Sequence, residues 1–287
     1  MQVYLIKRLM LFIPTMLLVF TLVFVILRVV PGDPAVAMLS GGAQTEKAFT
    51  QEDVDRLKAK LGTDRPLVVQ YGDWIWGLTR LDFGTSFFYD QPIWDDIKDR
   101  FPITFELTVL ALLMAGIVAI PLGVLSAIKQ DSLPDYLGRI ITIGGIAIPN
   151  FWIGILMVFF LANVFDWLPP LGYTDIWKDP WTNLQQLVFP ALALAITHMA
   201  FVGRVTRSAA LEVIREDYIR TARSKGLSEK IVIWRHVLKN ALLPVVTVAG
   251  YEFGRLMGGT VLIETIFNVP GMGQLLIGGI NHRDFPM

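Results

Sequence analysis

The chain has 287 residues, is 54% hydrophobic, and carries 25 Lys and Arg against 25 Asp and Glu. A mean hydropathy of +0.54 excludes an ordinary soluble protein, and zero net charge removes any bulk electrostatic case for nucleic-acid binding. With no cysteine, disulfides, thiolate metal sites and cysteine nucleophiles are excluded together. Lys7 and Arg8 precede an apolar run over 9–30, roughly 22 residues or about 33 Å as a helix, enough to cross a bilayer. A signal peptide has a shorter apolar core and a small-residue cleavage site, whereas here Pro31-Gly32-Asp33-Pro34 follows. The run therefore reads as an uncleaved first span, with Pro14 near its inner end. Arg28 lies near the other end, where it can snorkel.

Residues 31–102 are polar, with eight Lys and Arg against twelve Asp and Glu. The pattern over 51–61 predicts a short helix with Thr50 as cap and Gly62 as stop. Trp74, Trp76 and Trp94 suit a surface against headgroups. A second span is expected over 103–125, with Glu106 at its outer interface, and a third over 137–165 after a short loop holding Lys129 and Asp131. Pro149 inside the third span frees a backbone carbonyl, which favours a bundle interior over lipid. A fourth span over 188–205, broken early by Pro190, and a fifth over 243–263 complete the set. Basic residues in short loops orient the chain with its N-terminus cytoplasmic and the acidic 31–102 and 166–187 regions outside.

Between the last two spans lies a polar interval, 206–244, with eight basic residues against four acids. Leu211, Ile214, Tyr218 and Ala222 recur at helical spacing and predict one amphipathic helix. Gly226 interrupts it in the manner of a left-handed helix stop. Ser228 is the expected cap of a second helix whose stripe is Ile231, Trp234, Leu238 and Leu242. This helix–Gly–helix elbow either joins two spans passively or docks a soluble partner.

In the fifth span Gly250, Gly254 and Gly258 form a small-residue stripe suited to close helix packing. Glu252 and Arg255, three apart, share a face roughly opposite that stripe. Ionisable groups in a span are costly and face a bundle interior or a cavity. The pair is either mutually neutralising structure or, with Asn150, part of a translocation path. His198, alone in its span, either relays a proton or, as is more common, hydrogen-bonds a neighbouring helix. No phosphate loop of the G-x-x-x-x-G-K-[ST] kind, no H-E-x-x-H and no G-x-S-x-G is present, so no catalytic residue, metal site or cofactor is expected.

Seven short motifs carry a family resemblance: PGDP at 31–34, LDFGTS at 81–86, PNFW at 149–152, HVLKNALLP at 236–244, ETIFNVPGMG at 264–273, RDFP at 283–286 and DYIRTARSKGL at 217–227. The last comprises Asp217, Tyr218, Ile219, Arg220, Thr221, Ala222, Arg223, Ser224, Lys225, Gly226 and Leu227. Together they resemble the ABC-importer permeases of the dipeptide/oligopeptide/nickel branch, B-type subunit. Arg220-Thr221-Ala222 stands where the general family loop has Glu-Ala-Ala.

The resemblance implies an all-α polytopic membrane protein, a type-1 ABC importer helix bundle with five spans present of an expected six, the chain being truncated before the last. It implies a division into 1–102, the first span plus an extracytoplasmic region, and 103–287, the type-1 permease domain with its coupling loop at about 207–240. The implied partners are a second homologous C-type permease, two ATP-binding subunits at the cytoplasmic face, an extracytoplasmic substrate-binding protein and membrane lipid, with no nucleic acid. The implied place is the bacterial or archaeal plasma (inner) membrane. A secondary transporter or channel not driven by ATP is the alternative; it calls for repeated halves or charged relays across several spans, and neither is seen. An intramembrane enzyme would need a nucleophile–base or metal set within the spans.

Overall fold

A computed structural model describes residues 2–29, 32–39 and 50–286. Val30 and Pro31, at the expected end of the first span, lie outside the described residues. Regular structure among those described is helical throughout, apart from one isolated bridge between Thr85 and Pro92. The chain forms two compact units, Met1–Asp99 with Leu275–Met287, and Arg100–Gln274.

The first unit is built on α1 (Gln2–Val29), followed by α2 (Pro34–Leu39), α3 (Gln51–Leu61) and α4 (Leu67–Thr79). Only 6% of the apolar stretch of α1 is buried, as suits a helix surrounded by lipid. The C-terminal half of α1 packs on α4: Phe24 meets Tyr71 at 5.1 Å and Trp74 at 5.8 Å, and Arg28 Nε donates to Gln70 at 3.2 Å. Trp76 is exposed, with the Arg80 guanidinium over its ring at 4.5 Å. The expected bounds of α3 hold. Thr50 and Asp53 form a reciprocal capping box, and Gly62 takes φ 68°.

Two of the motifs meet in this unit. The buried Asp284 carboxylate accepts from the Ser86 hydroxyl, from the Phe87 amide at 2.9 Å and from the Phe88 amide at 3.4 Å. His282 stacks on the Phe88 ring at 3.8 Å. The chain segment after 281 is thereby fastened to the turn at 84–90.

The second unit takes most of α5 (Ile93–Ile128), then α6 (Leu133–Ala147), α7 (Asn150–Phe165) and α8 (Pro180–Ile214). It continues through α9 (Asp217–Ser224), α10 (Glu229–Ile231), a π-helical turn (Val232–Val237), α11 (Leu238–Gly259) and α12 (Val261–Phe267) to the start of α13 (Met272–His282). The central helix is α8, 61% buried over its apolar stretch and packed on α6, α7 and α11. Lipid tails are as apolar as leucine, so these helices associate through close van der Waals packing rather than exclusion of water. A Cβ added at Gly123 of α5 would lie 2.7 Å from the Gly203 carbonyl and 2.7 Å from Thr206 Cβ of α8. Only glycine permits that approach.

Three expectations about the spans change. The third span is two helices bent by 96° at Ile148-Pro149. Ile148 adopts φ −96° and ψ 123°, the extended backbone that a following proline favours. Pro190 does not break the fourth, because α8 runs through it unbroken. A further apolar pair, α12 with α13, bends by 92° and was not among the five expected spans. By length and composition, four helices can cross a membrane, or up to six if each bent pair is one span.

The bend between α12 and α13 is held by Glu264, which is fully buried. Its carboxylate accepts from the Thr104 hydroxyl of α5 at 2.7 Å, the Thr260 hydroxyl at 2.7 Å, and the Gly273 and Gln274 amides at 2.7 and 3.1 Å. The two amides are orphan donors of the first turn of α13, so the acid satisfies a helix start from inside the bundle.

Candidate functional site

The elbow departs from the expected pair of helices in its phase. Leu211 and Ile214 finish the long α8, and the helix stops at Arg215 before a new short one, α9, begins. On α9 the buried side chains are Ile219 and Ala222, whereas Tyr218 is exposed and its hydroxyl accepts from Asn240 at 2.8 Å. Gly226 takes φ 77°, the left-handed stop expected of it. Ser228 stands at the N-cap of the next helix without making a side-chain cap.

Beyond Ser228 the expected stripe fails. Ile231 and Trp234 are exposed, and Val232, Val237 and Ala241 are buried instead. Ile231 is out of phase before the π-helical turn begins, and within that turn i→i+5 bonding spaces the buried Val232 and Val237 five apart in place of the expected three or four. The buried set closes over Ala127 of α5 and Ala209 and Ala210 of α8, so the elbow has its own apolar floor.

Of the eleven residues at 217–227, only Ile219 and Ala222 face that floor; the other nine are exposed. Arg220 pairs with Asp217 at 3.2 Å and Arg223 with Glu229 at 2.7 Å, contacts between exposed side chains that hold each other weakly. The elbow thus presents a charged outer face on a seated apolar base, free to exchange partners.

The intramembrane charges form a larger set than the sequence pairing suggests. Glu252 is buried, and its Oε2 receives Arg255 Nη2 at 2.8 Å and His198 Nδ1 of α8 at 2.7 Å. His198 is also buried, which makes it the cross-helix partner of Glu252. Arg255 does not share the burial of Glu252. Its side chain is 53% exposed.

Among the described residues nothing packs on the glycine stripe of Gly250, Gly254 and Gly258; a Cβ added at any of the three meets no described atom within 4 Å. Asn150 opens α7 directly after the bend, and no hydrogen bond or ion pair among the described residues joins it to Glu252 or Arg255. Glu106, expected at an interface, accepts the Tyr173 hydroxyl at 2.6 Å. Burial, with Glu106 as acceptor, pushes the Tyr173 hydroxyl above its ordinary value. Asp135 and Glu264, both fully buried, were not singled out from the sequence. The signal for Asp135 was present: Ser132 and Asp135 have capping-box spacing, and Arg139 follows one turn later.

Comparison with known proteins gives a consistent result. Residues 119–287 match the family described as binding-protein-dependent transport system inner membrane component. Residues 1–108 match the N-terminal family of the same transport system membrane components. A transport permease chain from Brucella suis is 41% identical over 287 residues, covering all of this chain and 90% of that one. The dipeptide transport system permease protein DppB of Alkalihalophilus pseudofirmus is 37% identical, covering 100% of this chain and 90% of its own. The glutathione transport system permease protein GsiC of Pectobacterium atrosepticum is 37% identical, covering 99% of this chain and 88% of its own.

Proposed function

The chain belongs to the binding-protein-dependent transport system inner membrane components, the multi-pass permeases of ABC importers, and we propose that it forms half of a path for short peptides. The dipeptide and glutathione in the names of two relatives support that cargo class over nickel chelates or oligosaccharides. Its partners in this reading are two ATP-binding subunits below, a homologous C-type permease beside it and a substrate-binding protein outside. The membrane is the inner one and the N-terminus is cytoplasmic. Residues 1–102 supply the first span and an extracytoplasmic region, and 103–287 the permease domain.

The observation that carries the proposal is the elbow at 217–227: nine outward residues on a helix seated over an apolar floor. A motor with equal affinity for two positions of the elbow would shift nothing, so these outward side chains must bind the open and closed ATPase differently. The exposed glycine stripe supports the second permease as the missing neighbour of α11. Arg255, half-exposed, supports a path that meets a peptide carboxylate; Asn150 is assigned to the same path.

The test is capture of a co-expressed ATP-binding subunit by the tagged chain. Replacing 217–227 with a Gly-Ser segment is expected to abolish capture while detergent-solubilised yield is retained. Undiminished capture overturns the coupling role. Because the chain has no cysteine, Arg220→Cys and Arg223→Cys offer clean labelling sites. Both are expected to react only from the cytoplasmic side.

A further inference from the structure

Asp135, in the first turn of α6, is fully buried and gathers donors from four segments. Arg207 of α8 grips it with both prongs of the guanidinium, Nε to Oδ1 at 2.7 Å and Nη2 to Oδ2 at 2.8 Å. The Ser126 hydroxyl of α5 donates to Oδ1, and Arg207 Nε also reaches Ser126 Oγ at 3.1 Å. The Asp131 amide donates to Oδ2 at 3.0 Å, and Arg139 Nη2 donates to the same oxygen. Arg139 in turn meets Asp131 at 3.1 Å, so two cations and two anions close a neutral knot.

The place of this knot gives it a role. It joins the end of α5, the start of α6 and the last turns of α8, and Asp217, where α9 begins, follows Arg207 by ten residues. The elbow rests on Ala127, next to Ser126, and on Ala209 and Ala210, just past Arg207. The helices approach closely here: Gly203 of α8 stands with its built Cβ 3.8 Å from Ala119 Cβ of α5. Bidentate Arg–carboxylate bonds are directional as well as strong, and a buried acid stripped of its charge would leave two guanidiniums facing each other. A surface ion pair could be lost without notice; this one fixes the relative positions of three helix ends.

We infer that Asp135 is the positioning residue that makes these helix ends and the elbow one rigid block, so that motion of the elbow is delivered to α6 and the Pro149 bend rather than absorbed at the α5–α6 turn. The inference rests on the coupling role proposed for 217–227. It assigns the force path above that loop, which nothing in the loop itself determines.

The experiment uses the complete importer, with both permeases, ATP-binding subunits and binding protein, in vesicles. Asp135→Asn is expected to keep ATPase capture within about twofold of the unaltered chain while uptake per ATP hydrolysed falls roughly tenfold, the scale of a lost coupling. If the variant reduces only the number of assembled complexes, with uptake per ATP unchanged, Asp135 is merely structural and the inference is overturned. A second measurement covers a misfolded variant. Ala119→Cys with Gly203→Cys places the two Cβ atoms 3.8 Å apart, disulfide distance, and locks α5 to α8. A rigid block tolerates that lock, so oxidised and reduced vesicles are expected to take up peptide equally; uptake that stops on oxidation and returns on reduction overturns the inference. Failure of the coupling reading itself is seen separately, as capture that survives replacement of 217–227.

Discussion

Replacing Glu264 separates the two things its carboxylate does. Glu264→Ala removes the acceptor for four donors, the hydroxyls of Thr104 and Thr260 and the amides of Gly273 and Gln274. It also removes one of the close neighbours of Gly271 and Gly273, since a Cβ at either would sit 2.5 or 2.8 Å from the carboxylate. At about 1 kcal/mol for each bond lost from a buried site, the cost is about 4 kcal/mol before any cavity penalty. Glu264→Gln behaves differently. Its amide oxygen can keep the two backbone amides, and its NH2 can donate to the two hydroxyls, which accept as readily as they donate. Thr104 already accepts from the Met272 amide at 2.8 Å and has a second lone pair to offer. The glutamine therefore costs about 1 kcal/mol, mainly the weaker neutral bonds. Chemical unfolding of the purified chain in micelles, read from the shift of the midpoint at constant slope, gives both values. Glutamine as damaging as alanine, or alanine within about 1 kcal/mol of the unaltered chain, would refute the assignment of Glu264 as the acceptor that holds the α12–α13 bend.

Other perturbations test other elements. Gly123→Ala drives a methyl to 2.7 Å from the Gly203 carbonyl and is expected to cost about 1–3 kcal/mol in micelles. Gly250→Ala meets no atom within 4 Å and is expected to be neutral or slightly stabilising in the isolated chain, with its loss confined to recovery of the two-permease complex. Arg255→Leu alone leaves buried Glu252 with only His198 and is expected to destabilise the chain more than Arg255→Leu with Glu252→Gln. That double variant is expected to fold but to lose uptake; unchanged uptake and selectivity end the path role. The Thr50 hydroxyl and amide hold the Asp53 carboxyl below its ordinary 3.8, so its capping contribution is complete above that pH. It is lost as pH falls through the depressed folded value, and amide exchange in α3 is expected to quicken there and not above it. Deleting Ile233 removes the extra residue of the π-helical turn and puts Val232, Val237 and Ala241 at four-residue spacing, the same face of an α-helix, so ATPase capture is expected to survive the deletion.

The long helices were legible because each apolar run is far longer than a buried soluble helix requires, and α3 because both of its ends carry cap chemistry. What the two prolines do was not legible. Pro149 bends the chain by 96° while Pro190 lies inside an unbroken helix, though both sit in apolar runs. Proline removes one donor in either case; whether the helix stops depends on tertiary neighbours that re-satisfy the freed carbonyl, and these come from elsewhere in the chain. The elbow was legible as helix–Gly–helix but not in phase: Ile231 is exposed before the i→i+5 turn begins, and that turn, which has no composition signal, spaces Val232 and Val237 five apart. Glu252 and Arg255 were found by spacing, whereas His198, 54 residues earlier, joins them only through the packing of α8 on α11. The glycines chosen for their periodicity pack on nothing among the described residues, while Gly123 and Gly203, isolated in sequence, let α5 and α8 touch.

Three buried acids of the second unit show how carboxylates find their donors inside it. Glu252, in mid-helix, has no free backbone donor within reach and takes its bonds from the side chains of His198 and Arg255. Glu264 meets the start of a helix, where backbone amides are unpaired by construction, and Asp135 meets the turn just before one. Asp135 takes the Asp131 amide and Glu264 the amides of Gly273 and Gln274. Away from water such amides must find an acceptor, and a carboxylate meets several at once. A broken helix in this fold thus creates the demand that a buried acid supplies, and the acid in turn fixes the angle of the break. The two knots differ in one respect. Asp135 is tied to two arginines, so separating it from either exposes charge, whereas every donor to the Glu264 carboxylate is a neutral hydroxyl or amide. Both sets of bonds are charge-assisted through the carboxylate, but only at Asp135 are the donors charged as well, so the α5–α6 turn is the more strongly held of the two.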